Sequence, residues 1–228
     1  MRPELPAAVL WDMDGTLVDS EKVWTISLQD TARKLGGELS AAAREAMVGS
    51  NMARTMDLLF ADLGLPPDPD HQAETAAYLS ARTAELFAEG LVWRPGAHAA
   101  LTELRATGLP MALVTNTERD LTESALDVIG RHFFDVTVCG DEVPRGKPDP
   151  DPYLRAAELL GVPIEECLAV EDSPTGTRAA ESAGAAVLVV PCETTVEPGP
   201  ARVLRDSLHG LTPDEVRIVY DRVAAAVR

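Results

Sequence analysis

Residues 7–16 read Ala7-Ala8-Val9-Leu10-Trp11-Asp12-Met13-Asp14-Gly15-Thr16, and the fold turns on this stretch. An unbroken apolar run without polar alternation is the pattern of a strand covered on both faces, as in a parallel sheet flanked by crossover helices. Asp12 ends the run with a carboxylate, and Asp14 soon adds a second. Similar apolar runs recur at Met111–Val114, 136–139, 167–170 and 186–190, with helical spacing between them at about 97–107, 121–129, 153–160 and 175–183. This alternation predicts a doubly wound, Rossmann-like α/β fold whose ligands gather outside the carboxyl ends of the strands.

Residues 20–90 break the alternation, carrying helical segments and no strand pattern. Met52, Met56, Leu59, Phe60 and Leu63 fall at helical spacing, with Ser50 or Asn51 as the N-cap. Residues 64–70 form a proline-rich loop, and a second long helix runs to about Glu89. The expectation is an α-helical cap inserted after the first strand, spanning 20–90, with connections near 17–20 and 90–94. Residues 1–19 and 91–228 then form the catalytic core. Thr212-Pro213-Asp214-Glu215 opens a last helix with an N-cap, a first-position proline and an acidic first turn.

The chain has 228 residues, 46% of them hydrophobic and 25% charged, ordinary values for a globular protein with a sizeable core. Its 20 Lys+Arg against 37 Asp+Glu leave a net charge of −17. That balance argues against broad electrostatic binding to nucleic acid or an anionic membrane, so an anionic ligand must be held locally. It carries no information on oligomeric state. No apolar stretch approaches the about 18 residues of a membrane span, and the run at 7–11 is too short for a signal-peptide core, so a cytoplasmic protein is expected. Cys139, Cys167 and Cys192 include no CxxC pair and are expected to be buried thiols. The four histidines lack ligand spacing, and Trp11, Trp24 and Trp93 read as core or hinge packing.

Four polar signatures follow the apolar runs. The first is Asp12-Met13-Asp14-Gly15-Thr16, where Gly15 permits a tight departure from the strand. Two like charges about 4 Å apart repel by roughly 1 kcal/mol in water and roughly 4 kcal/mol at an effective dielectric near 20, so a nearby cation is expected. Thr115-Asn116 supplies small hydrogen-bonding groups suited to a phosphoryl oxygen. Lys147 lies in a loop ahead of Pro148, which restricts its backbone and so fixes where its ammonium points. Glu171-Asp172 repeats the pattern of an acidic pair at a strand end. Oxygen ligands without histidine or cysteine suit Mg²⁺ better than zinc. A single sheet would bring all four signatures to one edge.

In that order, the four signatures resemble those of the haloacid dehalogenase superfamily of phosphotransferases, over about residues 9–184 and with the helical insertion placed as in members that carry the first type of cap. The resemblance implies that Asp12 is the nucleophile and is phosphorylated during turnover. It implies that Asp14 protonates the leaving alkoxide and then activates water. It also implies a Mg²⁺ site from Asp12, the Asp14 backbone carbonyl and Asp172, with Glu171 acting through water. Thr115 would bond the phosphoryl group, Asn116 would position it, and Lys147 would offset charge.

Asp14 sets the chain apart from the dehalogenase branch, which lacks this second aspartate. Mutases similar to β-phosphoglucomutase keep both aspartates, but carry a histidine where Trp24 stands and a Gly-Val-Ser-Arg-type loop where this chain reads Val48-Gly49-Ser50-Asn51-Met52-Ala53-Arg54. Asp19-Ser20-Glu21 looks more like the hexose- and polyol-phosphate phosphatases. The expected activity is therefore hydrolysis of a small phosphorylated metabolite: a sugar, polyol or glycolate phosphate. Glu21, Asn51 and Arg54 are the candidates for contacting its non-phosphate part. A sugar-phosphate mutase and a non-catalytic phosphometabolite-binding protein are the alternatives.

Overall fold

The computed structural model describes residues 5–227. Six strands build one sheet: β1 (Ala8–Trp11), β2 (Met111–Val114), β3 (Val136–Val138), β4 (Cys167–Glu171), β5 (Ala186–Val189) and β6 (Arg202–Leu204), in the order β3-β2-β1-β4-β5-β6. Every pairing is parallel. The order reverses beside β1, so the crevice of this doubly wound sheet opens at the carboxyl end of β1 next to β4. Register fixes what meets there: Trp11 lies opposite Leu113 on one side and Val170 on the other. The residues after these positions therefore emerge together at one edge.

All residues of β1, β2, β4 and β5 are buried, as their unbroken apolar runs require. Val9 and Trp11 enter the core on one face of the sheet, and Ala8 and Leu10 enter the core on the other. Helices α5 (Ala97–Ala106), α6 (Arg119–Ile129) and α9 (Pro213–Val227) supply the first core, through residues such as Leu101, Leu126 and Val216. Helices α7 (Asp151–Leu160) and α8 (Pro174–Ala183) supply the second, through Tyr153, Ala156 and Ala180.

Between β1 and α5 run α1 (Glu21–Lys34), α2 (Ala41–Ala46), α3 (Met52–Asp62) and α4 (Pro69–Glu89). They have an apolar core of their own, with Leu28, Met56, Leu59 and Leu79 at its centre, and Trp24 packs against both this core and the sheet core. The two connecting segments are tied together: Asp19 N donates to Val92 O at 2.7 Å and Arg94 N to Leu17 O at 2.9 Å. Of the two expected caps for α3, Asn51 takes the role, its Oδ1 accepting from Arg54 N at 2.9 Å.

The structure departs from the sequence reading in detail. β6 was not expected, because a short, half-exposed edge strand that starts with Arg202 has no continuous apolar run. β3 stops at Val138, since the chain turns into a 3-10 helix at Gly140–Glu142. The cysteines are free, but Cys192 is only half-buried. Burial pushes the Cys139 and Cys167 thiols up to about 11 and about 12, which keeps them protonated and unreactive. No helix among the described residues is long and apolar enough to cross a membrane.

Candidate active site

The last sheet bond of β1 runs from Asp12 N to Val170 O at 3.0 Å, and it brings the Asp12 side chain to the crevice. The chain then turns sharply, with Gly15 at φ +78° and its N–H on Val18 O at 2.9 Å. A Cβ at Gly15 would run into Asp172 Oδ2, so the missing side chain is what lets the Asp172 carboxylate settle over the turn.

Asp12 is 6% exposed and both its oxygens are engaged. Lys147 Nζ donates to Oδ1 at 2.7 Å, and Thr16 Oγ1 donates to Oδ2 at 2.8 Å. Lys147 Nζ also reaches Glu171 Oε1 at 2.6 Å, and Tyr153 OH donates to that same oxygen at 2.5 Å. Gly176, at the start of α8, packs on this carboxylate so closely that a Cβ there would overlap it. The Lys147 loop is held by Asn116, whose Oδ1 accepts from Lys147 N at 2.8 Å. The Nδ2 of Asn116 donates to Lys147 O at 3.1 Å and to Gly49 O at 3.0 Å.

The electrostatics follow from burial. Asp12, Glu171 and Asp172 offer carboxylate oxygens within 4.8 Å of one another, all three buried, and among the described residues Lys147 is the one ammonium bonded there, to Asp12 and Glu171. Burial, reinforced by the Glu171 charge, raises Asp12 to about 7 even though Lys147 pulls the other way. Burial and the charge of Asp12 hold Asp172 well above the usual carboxylate range. Burial alone would lower Lys147, but Asp12 and Glu171 outweigh it and raise the ammonium. Fully ionised, three buried carboxylates against one ammonium would carry an excess of two negative charges. That all-oxygen donor set fits a hard divalent cation, and the excess is what such a cation would neutralise.

Asp14 faces the helical insertion rather than the acidic cluster. Its Oδ1 accepts from Ser20 Oγ at 2.6 Å and from Trp24 Nε1 at 2.9 Å. Its Oδ2 accepts from Thr117 Oγ1 at 2.8 Å and more distantly from Thr115 Oγ1 at 3.4 Å. Trp24 thus does more than pack: its indole crosses from α1 to a motif carboxylate.

One pocket is lined by Asp12, Asp14, Thr115, Asn116, Lys147 and Asp172 from the sheet edge, and by Glu21 from α1. Glu171 lies just beneath, fully buried. Asn51 borders a neighbouring groove and spends its side-chain oxygen on capping α3, while Arg54 is exposed and lines neither cavity. Sequence reading assigned no site role to Ser20, Thr117, Tyr153 or Arg44. Arg44 projects from α2 into the same pocket, where its Nη2 meets Glu21 Oε2 at 2.5 Å.

A family model described as haloacid dehalogenase-like hydrolase matches residues 6–184, and the chain belongs to that family. Among its relatives is hexitol phosphatase A of Escherichia coli, 33% identical over 79% of this chain and 81% of that protein. Another is phosphoglycolate phosphatase of Rhodospirillum rubrum, 34% identical over 85% of this chain and 83% of that one. The crystal structure of a CbbY mutant from Rhodobacter sphaeroides, solved with xylulose-(1,5)bisphosphate, is 30% identical over 91% of this chain and 96% of that one, with a TM-score of 0.82.

Proposed function

We propose that this chain is a Mg²⁺-dependent cytoplasmic phosphatase that hydrolyses a small phosphomonoester, a sugar, polyol or glycolate phosphate, by way of an aspartyl phosphate on Asp12. The observation that carries this reading is the buried Lys147 ammonium at 2.7 Å from Asp12 Oδ1, beside two further carboxylates. A carboxylate approaches a phosphate dianion only where fixed positive charge offsets the repulsion. Lys147 supplies part of that charge, and Tyr153 and Glu171 hold it in line.

In the first step an Asp12 oxygen bonds to phosphorus while the ester P–O bond breaks, and Asp14 gives its proton to the departing alkoxide. In the second, Asp14 takes a proton from water, the resulting hydroxide attacks phosphorus, and the Asp12–phosphorus bond breaks to free the carboxylate. Thr115 hydrogen-bonds a phosphoryl oxygen, and Asn116 positions the group through the Lys147 loop. The Asp12 and Asp172 carboxylates and the Asp14 backbone carbonyl would hold Mg²⁺, with Glu171 acting through water. Bound there, the cation supplies charge neutralisation for the carboxylates and the phosphoryl oxygens.

Residues 1–19 and 91–228 serve as the core in this reading and residues 20–90 as the cap that excludes water; residues 1–4 and 228 lie outside the described residues. Glu21 is the cap residue best placed for the non-phosphate part, with Asn51 and Arg54 further out. A mutase reading is weakened by Trp24, because an indole N–H donates to Asp14 but does not relay a proton.

The test is phosphate release across a panel of phosphorylated metabolites. Asp12→Asn is expected to lower turnover by at least about a thousandfold with the fold intact. Substantial hydrolysis by that variant, or unchanged wild-type turnover after thorough chelation, would remove the nucleophile or the metal from the scheme. A mutase would instead convert a hexose phosphate to its isomer faster than it releases inorganic phosphate.

A further inference from the structure

On the side of the pocket formed by the helical insertion, the positive charge belongs to Arg44, and its Nε and Nη2 are already engaged. Nη2 binds Glu21 Oε2 at 2.5 Å and Glu21 O at 3.1 Å, and Nε binds Thr25 Oγ1 at 2.8 Å. Glu193, from the loop after β5, brings a second carboxylate to 3.8 Å from the same Nη2. The inner pair is well shielded, with side chains 13% and 5% exposed. Glu118 adds another carboxylate to the pocket wall. Among the described residues, Arg44 and Lys147 are the cations that line this pocket, and Lys147 is committed to Asp12 and Glu171. A second phosphate or a carboxylate on the substrate would therefore meet one guanidinium already outweighed by acidic groups. Like charges brought together in such a site are strongly disfavoured.

What this side of the pocket does offer is suited to a neutral ligand. The Glu21 carboxylate can accept from a hydroxyl, and Leu28, Met47 and Met52 present apolar surface to a carbon skeleton. Resting on the phosphatase reading above and narrowing it to its sugar and polyol phosphates, we infer that the Glu21–Arg44 pair makes the enzyme selective for monophosphates of neutral, hydroxyl-bearing molecules, rejecting bisphosphates and phosphorylated carboxylic acids such as glycolate phosphate. Arg44 and Glu21 then act as a specificity pair: the arginine fixes the carboxylate that reads hydroxyl groups, and the carboxylate masks the arginine from anions. A bisphosphate intermediate of the kind a sugar-phosphate mutase must retain is disfavoured for the same reason.

The experiment compares kcat/KM of the wild type, with Mg²⁺ present, for a hexitol monophosphate, a hexulose bisphosphate and phosphoglycolate. The neutral substrate is expected to lead by about tenfold or more. Glu21→Gln, which removes one anion from Arg44 while keeping the side-chain shape, is expected to shift the ratio toward the two charged substrates by about tenfold. Equal or better use of either charged substrate by the wild type, or an unmoved ratio in Glu21→Gln, overturns the inference. Binding of the same three compounds to Asp12→Asn, measured by calorimetry, must give the same ranking. That ranking without any wild-type turnover would refute hydrolysis alone, and turnover with the reverse ranking would refute the specificity pair alone.

Discussion

Replacing Lys147 by methionine tests the charge balance of the site directly. The substitution roughly keeps the length of the side chain and deletes an ammonium bound at 2.7 Å to Asp12 and 2.6 Å to Glu171, at a position 4% exposed. It leaves Asp12, Glu171 and Asp172 within 4.8 Å of one another without their ammonium partner. Breaking a buried ion pair from one side costs about 3–5 kcal/mol, a large part of the about 5–15 kcal/mol that holds a domain folded. The loss should depend on pH, because the carboxylates can escape it by binding protons. Asp12 is raised to about 7 by burial and by Glu171, against the pull of Lys147; without the lysine it rises further. A group whose pKa is raised in the folded state contributes stability at low pH that is lost as pH climbs through the folded value. Metal-free Lys147→Met should therefore lose more stability at pH about 8 than at about 5.5, the gap exceeding about 1.4 kcal/mol, the worth of one pKa unit. Urea unfolding of both proteins at the two pH values, after chelation, measures the gap. A penalty below about 1 kcal/mol, or one equal at both pH values, would refute the reasoning that this cluster is held together by a single cation.

Gly176→Ala places a methyl against the Glu171 carboxylate, and the overlap forces that side chain or α8 to shift. Denaturant melts should show a loss of about 1–3 kcal/mol, and turnover should fall because Glu171 orients Lys147; wild-type turnover would contradict the packing described. Trp24→Phe keeps an aromatic ring in edge-on contact with Phe87, where the ring centroids now stand 6.5 Å apart, but removes the N–H on Asp14. Since leaving a buried hydrogen-bonding group without its partner costs about 1–3 kcal/mol, kcat is expected to drop about tenfold to a hundredfold with little change in melting; an unchanged kcat would mean the indole only packs.

The sheet was readable because β1, β2, β4 and β5 are buried along their whole length, which forces continuous apolar runs into the sequence. β6 escaped because an edge strand has one neighbour and tolerates Arg202. α2 escaped because its six residues are too few to display a period, and none of them is buried. The four polar signatures stood out because each follows such a run. The residues around them did not: Thr117 meets Asp14 across 103 positions, Arg44 meets Glu21 across 23 and Tyr153 meets Glu171 across 18. On its own element each looks like an ordinary helix or loop residue, and only the fold supplies its partner. Trp24 is the instructive case, since its aromatic bulk suits the packing expected of it while its N–H reaches a carboxylate ten positions back.

The side-chain amide of Asn116, just past the end of β2, touches two stretches of chain that are remote in sequence: both backbone polar atoms of Lys147, and the Gly49 carbonyl on the helical insertion. Any displacement of the Gly49 loop removes one of the anchors of the group that steadies the lysine. Admitting solvent to Asp12 and slackening its counter-charge are then a single mechanical event. On the proposed phosphatase reading, a molecule wired this way is at its most reactive only while shut.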